Sequence, residues 1–217
     1  MSEVYFEPWV GKEYSIGING KKIMVLGHNH YCSHKPSCQC CTEAACKKFT
    51  QRIIRGYLEK PYYDSREDKN RWKLTYNNFE RAFYSRNLND DERSVLWNHL
   101  LFYNLVQEAM PDPYAKPNQE QYANAIDPFR SILRDYKPNV ILAWGDGAYN
   151  HTPNDNGIEI EPIEYDGVRC IGWRYLGYDN LIDMFKIRHP SRYFSYRKWN
   201  VIINKILNSE YSCPNCK

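Results

Sequence analysis

Polar residues that can do chemistry stand at or near the ends of three mainly apolar runs in this chain. They are the loop His28–Tyr31 (His-Asn-His-Tyr), the single amide Asn104, and the triplet His189–Ser191 (His-Pro-Ser). Imidazole and amide groups both donate and accept hydrogen bonds. Gathered on one rim, they would form a pocket that binds a ligand through a few placed polar contacts. Taken singly, Asn104 also fits a buried amide that supports a loop, and His189 fits an ordinary histidine at a strand end.

The elements that must position these groups are buried strands. Ile23–Leu26 is apolar at every position and ends at Gly27, and Leu100–Val106 (with one polar residue, Asn104) and Asn139–Trp144 are similar. Leu181–Ile187, which is mainly apolar, leads into the His189 segment. Apolar runs without alternation are typical of strands covered on both faces of a parallel sheet. In open sheets of this kind, ligands bind outside the carboxyl ends of the strands, where the polar groups stand.

Helical segments separate the strands and predict an α/β fold. We expect helices near residues 43–58, 77–84, 90–97, 119–136 and 195–207, with Asn118 capping the fourth and Pro128 inside it. The alternation predicts a three-layer α/β/α domain with a central, mainly parallel four-stranded sheet. An Asp166-Gly167 turn between Ile158–Ile163 and Val168–Tyr175 predicts an inserted hairpin.

Composition and charge limit the class of protein. The chain has 217 residues, 42% of them hydrophobic, and a net charge of +3, which suits one domain over residues 1–217 with a proper core. No apolar run approaches the roughly 20 residues that cross a bilayer, and residues 1–11 lack a signal-peptide core. We therefore expect a cytoplasmic protein with no membrane partner, monomeric and without an obligate protein partner.

Basic and aromatic residues are interleaved near the carboxyl terminus. Arg188, Arg192, Arg197 and Lys198 alternate with Tyr193, Phe194, Tyr196 and Trp199. Such a surface can grip phosphates and stack on bases. An aromatic helix start with a solvated basic face explains the local pattern equally well.

The order and spacing of these segments resemble the uracil-DNA glycosylase superfamily. Gly27–Tyr31 (GHNHY) is similar to its first motif, and His189–Trp199 (HPSRYFSYRKW) is similar to its second, in which His-Pro-Ser precedes a loop that enters the duplex. FYNLVQ (Phe102–Gln107) and KPNVILAWGDGAY (Lys137–Tyr149) resemble the middle of the family's four-strand sheet. The resemblance covers about residues 21–201 and implies catalysis without a cofactor.

The resemblance also implies roles for the residues that match. Asn29 would position water at the anomeric carbon, Asn104 would bind the pyrimidine edge, and His189 would donate a hydrogen bond to the base carbonyl as negative charge develops. Tyr31 would crowd the pyrimidine C5 position, and Phe102 would stack on the flipped base. Residues implied or predicted to contact DNA are Pro190, Ser191, Arg192, Tyr193, Phe194 and Lys198. Pro190 and Ser191 would pinch phosphates, and Tyr193 or Phe194 would wedge into the base stack.

Asn29 and its neighbours depart from the family's usual pattern. An amide cannot act as a general base, so water would be positioned rather than deprotonated. His28 and His30 are not the usual neighbours; they would line the base-binding site and assist water, bind metal, or simply pack.

The predicted function is a monofunctional DNA glycosylase. It would flip out and hydrolytically excise uracil or a modified pyrimidine base, leaving an abasic site, in DNA repair or in defence against foreign DNA. Tyr31 argues against a bulky C5 group unless its ring is displaced. The alternatives are a non-catalytic DNA-binding protein on the same fold and, less well supported, a nucleotide or nucleoside hydrolase. The chain lacks a Gly-rich phosphate-binding loop after the first strand, which makes the hydrolase the weaker alternative.

Most of the eight cysteines are clustered, which in a chain without a secretion signal favours metal over disulfides. Two CxxC pairs, Cys38 with Cys41 and Cys213 with Cys216, match a structural zinc site. A competing set is Cys32, Cys38 or Cys40, Cys41 and Cys46. An iron–sulfur cluster fits less well, because the cysteine spacing of the family members that carry one is absent, and a reduced, metal-free loop is the remaining alternative.

Overall fold

A computed structural model describes residues 3–32, 43–59, 71–191 and 193–213. In these ranges the chain forms seven strands and seven helices. The strands are β1 (Trp9–Val10), β2 (Ile23–Gly27), β3 (Leu100–Asn104), β4 (Val140–Trp144), β5 (Ile158–Tyr165), β6 (Val168–Tyr175) and β7 (Ile182–Ile187). The helices are α1 (Glu43–Lys47), α2 (Phe49–Glu59), α3 (Lys73–Tyr84), α4 (Asp90–Asn98), α5 (Gln119–Tyr136), α6 (Gly145–Tyr149) and α7 (Tyr196–Leu207).

One mixed sheet contains all seven strands, in the order β1-β3-β2-β4-β7-β6-β5. The predicted α/β class is confirmed. The prediction of a mainly parallel four-stranded sheet with an inserted hairpin is wrong in extent. Strands β3, β2, β4 and β7 are parallel, but β1 adds an antiparallel strand at one edge and the β5–β6 hairpin pairs antiparallel with β7 at the other.

The hairpin joins the sheet because its inner face is apolar. Ile160, Ile163 and Cys170 are buried in the same cluster as α7. Gly172 lies opposite Phe185 in the β6–β7 register, and a β-carbon there would overlap the Met184 carbonyl of β7. Glycine therefore permits the close approach, and the pairing satisfies an edge of β7 that would otherwise be open.

Helices cover both faces of the sheet, as the buried strands predict. Every residue of β2, β3 and β4 is buried. Ile23 and Val25 face α2, α3, α4 and α7, while Met24 and Leu26 face α5. Each such aliphatic side chain contributes about 1.5–3 kcal/mol when it is fully buried.

Local signals in the sequence set the ends of the helices. Asn118 caps α5 through a reciprocal bond with Gln121, and Asn89 caps α4 in the same way with Glu92. Helix α5 continues through Pro128 as one element. Helix α3 begins at Lys73, four residues before the predicted start at Asn77.

The four parallel strands end level with one another. Gly27 at the end of β2 lies opposite Asn104 at the end of β3, and Trp144 of β4 lies opposite Ile187 of β7. The segments that follow each strand therefore meet at the carboxyl edge of the sheet. In the described ranges no helix has both the length and the apolar character needed to span a bilayer.

Candidate functional site

A cavity of about 600 Å³ lies at the carboxyl edge of the parallel strands. Its lining includes all seven residues that the sequence analysis assigned to catalysis or base binding: His28, Asn29, His30, Tyr31, Phe102, Asn104 and His189. The size is within the range of small-ligand sites. The expectation that the polar strand ends converge on one rim is therefore confirmed; their chemical roles stay predictions.

Asn29 is held in a loop that runs beside the segment after β3. The backbone amides of Val106 and Met110 donate to the carbonyls of His28 and His30, which fixes the loop on either side of Asn29. The Asn29 Nδ2 group donates to the His30 carbonyl at 3.1 Å. Its Oδ1 atom has no hydrogen-bond donor among the described residues and can accept a hydrogen bond from a water molecule in the cavity.

Asn104 presents an unpaired amide to the same space. The residue is only 5% exposed, yet its side chain forms no hydrogen bond with any described residue. The backbone carbonyl of Asn104 accepts a hydrogen bond from Gln107 Nε2 at 2.8 Å, which anchors the main chain here. The side-chain amide lines the cavity and is not among the polar groups that are shut off from solvent without a partner. An amide placed in this way is expected where a ligand completes its hydrogen bonds.

His189 stands at the opposite side of the cavity, after β7. Its Nδ1 atom lies 3.0 Å from Ser191 Oγ, and its ring packs edge-on against Trp144. When the Ser191 hydroxyl donates to Nδ1, the ring proton resides on Nε2, for which no described residue is an acceptor. Surrounding protein atoms desolvate the ring and lower the pKa of His189 below its ordinary value. The lowered pKa favours the neutral ring, and in the tautomer that accepts from Ser191 the Nε2 proton is available to the cavity.

His28 belongs to an aromatic stack beside the cavity. Its Nε2 atom lies 2.9 Å from the Tyr122 hydroxyl, and the Tyr122 ring stacks on His151 with centroids 3.6 Å apart. Burial, followed by the nearby His151 and His189, lowers the pKa of His28 to about 4. The ring is therefore neutral near pH 7.

His30 is buried beneath the loop. Its Nε2 atom lies 2.8 Å from Thr50 Oγ1, and its ring contacts Phe6 and Phe49. Burial, with a smaller contribution from Arg52, lowers the pKa of His30 to about 3. This placement gives His30 a packing role that supports the loop, one of the alternatives left open by the sequence.

Three glycines leave room for three of the polar side chains. A β-carbon on Gly27 would overlap Asn104 Oδ1. A β-carbon on Gly147 would lie 2.7 Å from the His28 ring. One on Gly145 would lie 3.1 Å from His189 Cβ, and Gly145 also has φ +78°. The site is therefore built as much by missing side chains as by those present.

Aromatic side chains form the apolar wall. Phe102 is 2% exposed and packs edge-on against Trp144, with the Tyr76 ring beside both. Phe102 therefore offers only part of its surface to a ligand. Tyr31, by contrast, is 44% exposed at the mouth of the cavity. Sequence reasoning missed Trp144 and Tyr76, although Trp144 stands at a strand end directly before a glycine.

Asp146 was also missed and carries the one carboxylate among the described residues that line the cavity. It follows β4 at the same edge as the other polar groups, and this position could have identified it from the sequence. Its carboxylate lies 2.9 Å from Lys186 Nζ. The ion pair joins the end of β4 to β7.

The segment after His189 is held by α3. The side-chain amide of Asn78 donates to the carbonyls of Pro190, at 3.0 Å, and Ser191. Tyr193 is 85% exposed with φ +57°, whereas Phe194 is buried and stacks parallel to Trp199. Of the two rings predicted to wedge into a base stack, Tyr193 is therefore the exposed one.

Lys198 and Arg192 are the remaining residues predicted to contact DNA. Lys198 Nζ binds both the carbonyl and the carboxylate of Asp166 in the hairpin turn, so its charge is already shared. Arg192 lies outside the described residues.

The predicted zinc site lies mostly outside the described residues. Cys38, Cys41 and Cys216 fall there, while Cys213 packs against the core and is disulfide-bonded. A zinc ligand must be a thiolate, so that prediction requires Cys213 to be reduced. Cys32 and Cys46, from the competing set, are free and line a separate apolar cavity of about 420 Å³. In the described part of the chain no group of three His, Cys, Asp or Glu residues could hold a metal.

Neither protein-family models nor curated proteins give a match to this chain.

Proposed function

We propose that this protein is a DNA glycosylase that flips out uracil or a modified pyrimidine and hydrolyses its N-glycosidic bond. The observation that carries the proposal is the meeting of Asn29, Asn104 and His189 at one cavity large enough for a nucleobase. Each of these three side chains has a polar atom with no partner among the described residues. The product would be DNA with an abasic site.

His189 would stabilise the departing base. Cleavage of the bond places negative charge on the base, and a hydrogen bond from Nε2 is strongest when that charge has developed. This role requires the tautomer in which the Ser191 hydroxyl, 3.0 Å away, donates to Nδ1. Comparable oxyanion donors contribute about 3–4 kcal/mol, or 10²–10³ in rate.

Asn29 would position the attacking water. Because Nδ2 is bound to the His30 carbonyl, Oδ1 keeps a fixed orientation as an acceptor. An amide does not take the proton, so the bond to the base breaks first, water adds to the oxocarbenium-like sugar, and the proton that this water loses passes to solvent. Substrates whose base leaves readily are therefore favoured.

Asn104 and the aromatic wall would recognise the base. A side-chain amide both donates and accepts, which matches the polar edge of a pyrimidine. The Phe102 and Trp144 rings give an apolar surface, and Tyr31 at the mouth limits or adapts to groups at C5. The base must leave the duplex to reach this site, and Tyr193 is the exposed ring that would fill the gap.

An abasic-site assay tests the proposal directly. Purified protein is incubated with DNAs that contain uracil, deaminated bases or C5-modified pyrimidines, and alkali-labile breaks are counted. We expect breaks with at least one substrate and a loss of about 100-fold or more in His189→Ala. His99→Ala is the matched control, since His99 precedes β3 at the amino edge of the sheet. Absence of breaks across the whole panel would count against a glycosylase.

A non-catalytic DNA-binding protein is the second candidate. It is favoured by one observation: the lining residue best placed to activate water is an amide, and the carboxylate of Asp146 is paired with Lys186. This alternative predicts salt-dependent DNA binding, no abasic product, and little effect of Asn29→Ala on affinity.

A further inference from the structure

A second concave surface lies beside the cavity, along the β5–β6 hairpin. We call it the basic groove; it has a volume of about 700 Å³. Gly145, Asp146 and His189 line both the groove and the cavity. The two spaces are therefore adjacent, and the histidine proposed to act on the base borders both.

Three basic side chains line the groove against one acidic side chain. Arg169 comes from β6, Lys186 from β7, and Arg188 from the segment after β7; the acidic residue is Asp146. Asp146 neutralises Lys186, and Glu164 lies 3.5 Å from Arg169 in an exposed pair. Exposed pairs of this kind are weak and exchange readily with other anions. The net charge of the lining favours an anionic ligand.

The wall that carries Arg169 is fixed to the body of the protein. Lys198 Nζ binds Asp166 at the hairpin turn, at 2.8 Å to the carbonyl and 2.9 Å to the carboxylate. Asp166 and Gly167 both have positive φ, which is the geometry of a tight two-residue hairpin turn. The side chain of Val168 packs against the core. Arg169 is thus presented from an anchored strand end.

An aromatic ring stands at the open side of the groove. Tyr193 lines it with 85% of its surface exposed, and the Arg188 guanidinium lies 5.6 Å from its ring centroid. Cationic groups that follow a backbone, combined with an exposed ring for stacking, are typical of surfaces that bind a nucleic-acid strand.

We propose that the basic groove binds the phosphates of the DNA strand that continues from the nucleotide in the cavity, with Arg169 and Arg188 as the contacts. This inference rests on the proposed function for the position of the nucleotide. Its new element is the hairpin: Arg169 is 19 positions before Arg188 in the chain, and only the pairing of β6 with β7 brings both to one surface.

The test measures DNA affinity against salt concentration. Fluorescence anisotropy with a labelled duplex that contains no modified base is recorded for the wild-type chain, Arg169→Gln/Arg188→Gln and Arg169→Lys/Arg188→Lys. The slope of log K against log salt concentration should become less negative by about 2 in the Gln variant and should change little in the Lys variant. Arg134→Gln is the control; Arg134 is exposed on α5, which covers the opposite face of the sheet.

The possible results separate the groove from the enzyme. An unchanged slope in the Gln variant, or no binding by the wild-type chain, overturns the groove proposal. A reduced slope supports it, whether or not abasic sites are formed. Excision assayed at saturating protein tests the glycosylase separately. Abasic product with an unchanged slope would support the glycosylase and contradict the groove. A reduced slope without abasic product would support the groove and contradict the glycosylase.

Discussion

The Oδ1 atom of Asn104 occupies the space that a β-carbon on Gly27 would fill. The two residues lie opposite each other at the ends of β2 and β3. This contact explains why the strand before the His28–Tyr31 loop ends in glycine. Any side chain at position 27 would push the Asn104 amide out of its place or move the strands apart.

Gly27→Ala should therefore impair the site more than the fold. We expect excision to fall by about 100-fold, because the amide that would bind the base is displaced. Overpacking of this kind costs about 1–3 kcal/mol in the free energy of unfolding. Abasic-site formation and chemical denaturation measure the two effects.

Gly56→Ala is the matched control for that substitution. Gly56 lies in α2, and a β-carbon there meets no atom within 4 Å. Alanine in a helix is favoured over glycine by about 1 kcal/mol. Stability should rise slightly while excision is unchanged; equal losses of excision in both variants would contradict the role given to Gly27.

Asn104→Ala should separate function from stability. The amide has no partner among the described residues, so its removal gives up no hydrogen bond of the folded protein. We expect the free energy of unfolding to change by less than about 1 kcal/mol, while excision falls by at least about 100-fold. A clear loss of stability would instead indicate that Asn104 is a structural amide.

Ser191→Ala tests the tautomer of His189. Without the hydroxyl, the hydrogen bond that orients the His189 ring is lost; it contributes about 1 kcal/mol, so the rate should fall by about 5-fold. Desolvation lowers the pKa of His189 below its ordinary value. The inflection of the wild-type rate should therefore lie at lower pH than that of a free imidazole. Rate profiles from pH 6 to 8, with kcat and KM separated, provide the measurement.

The position of the site could be predicted from the strand ends. Uninterrupted apolar runs at β2, β3 and β4 predict parallel strands, and parallel strands bring their carboxyl ends together. The glycine at position 27 and the polar residues after it were visible for the same reason. Asp146 follows β4 by the same rule, so its place at this edge could also have been predicted.

Other parts of the structure depend on contacts that no local pattern records. The hairpin turn was predicted from Asp166-Gly167, but its pairing with β7 depends on the fit of Gly172 against Met184. Asn78 holds the His189 segment from a helix more than 100 positions away in the chain. The burial of His30 depends on Phe6 and Phe49, which come from separate segments. Long-range packing of this kind is set by the whole fold.

The burial of His30 also makes stability depend on pH. Its pKa is about 3 in the folded protein and about 6.5 in the unfolded chain. Between those values the unfolded chain binds a proton that the folded protein does not, so stability is fully present above pH 6.5 and is lost as the pH falls toward 3. The slope is at most about 1.4 kcal/mol per pH unit, or about 2 kcal/mol between pH 6.5 and 5.

His30→Gln should reduce this acid sensitivity, since glutamine can still bond to Thr50 and does not titrate. Denaturation at pH 7.5 and pH 5.0 should show a smaller difference in the free energy of unfolding than for the wild type. Some sensitivity should remain, because the pKa of His28 is lowered to about 4 with the same sign. Thr50→Val keeps the buried imidazole and loses its partner, so it should be less stable at both pH values yet keep the full acid dependence. If His30→Gln kept that dependence too, the imidazole of His30 would not be its source.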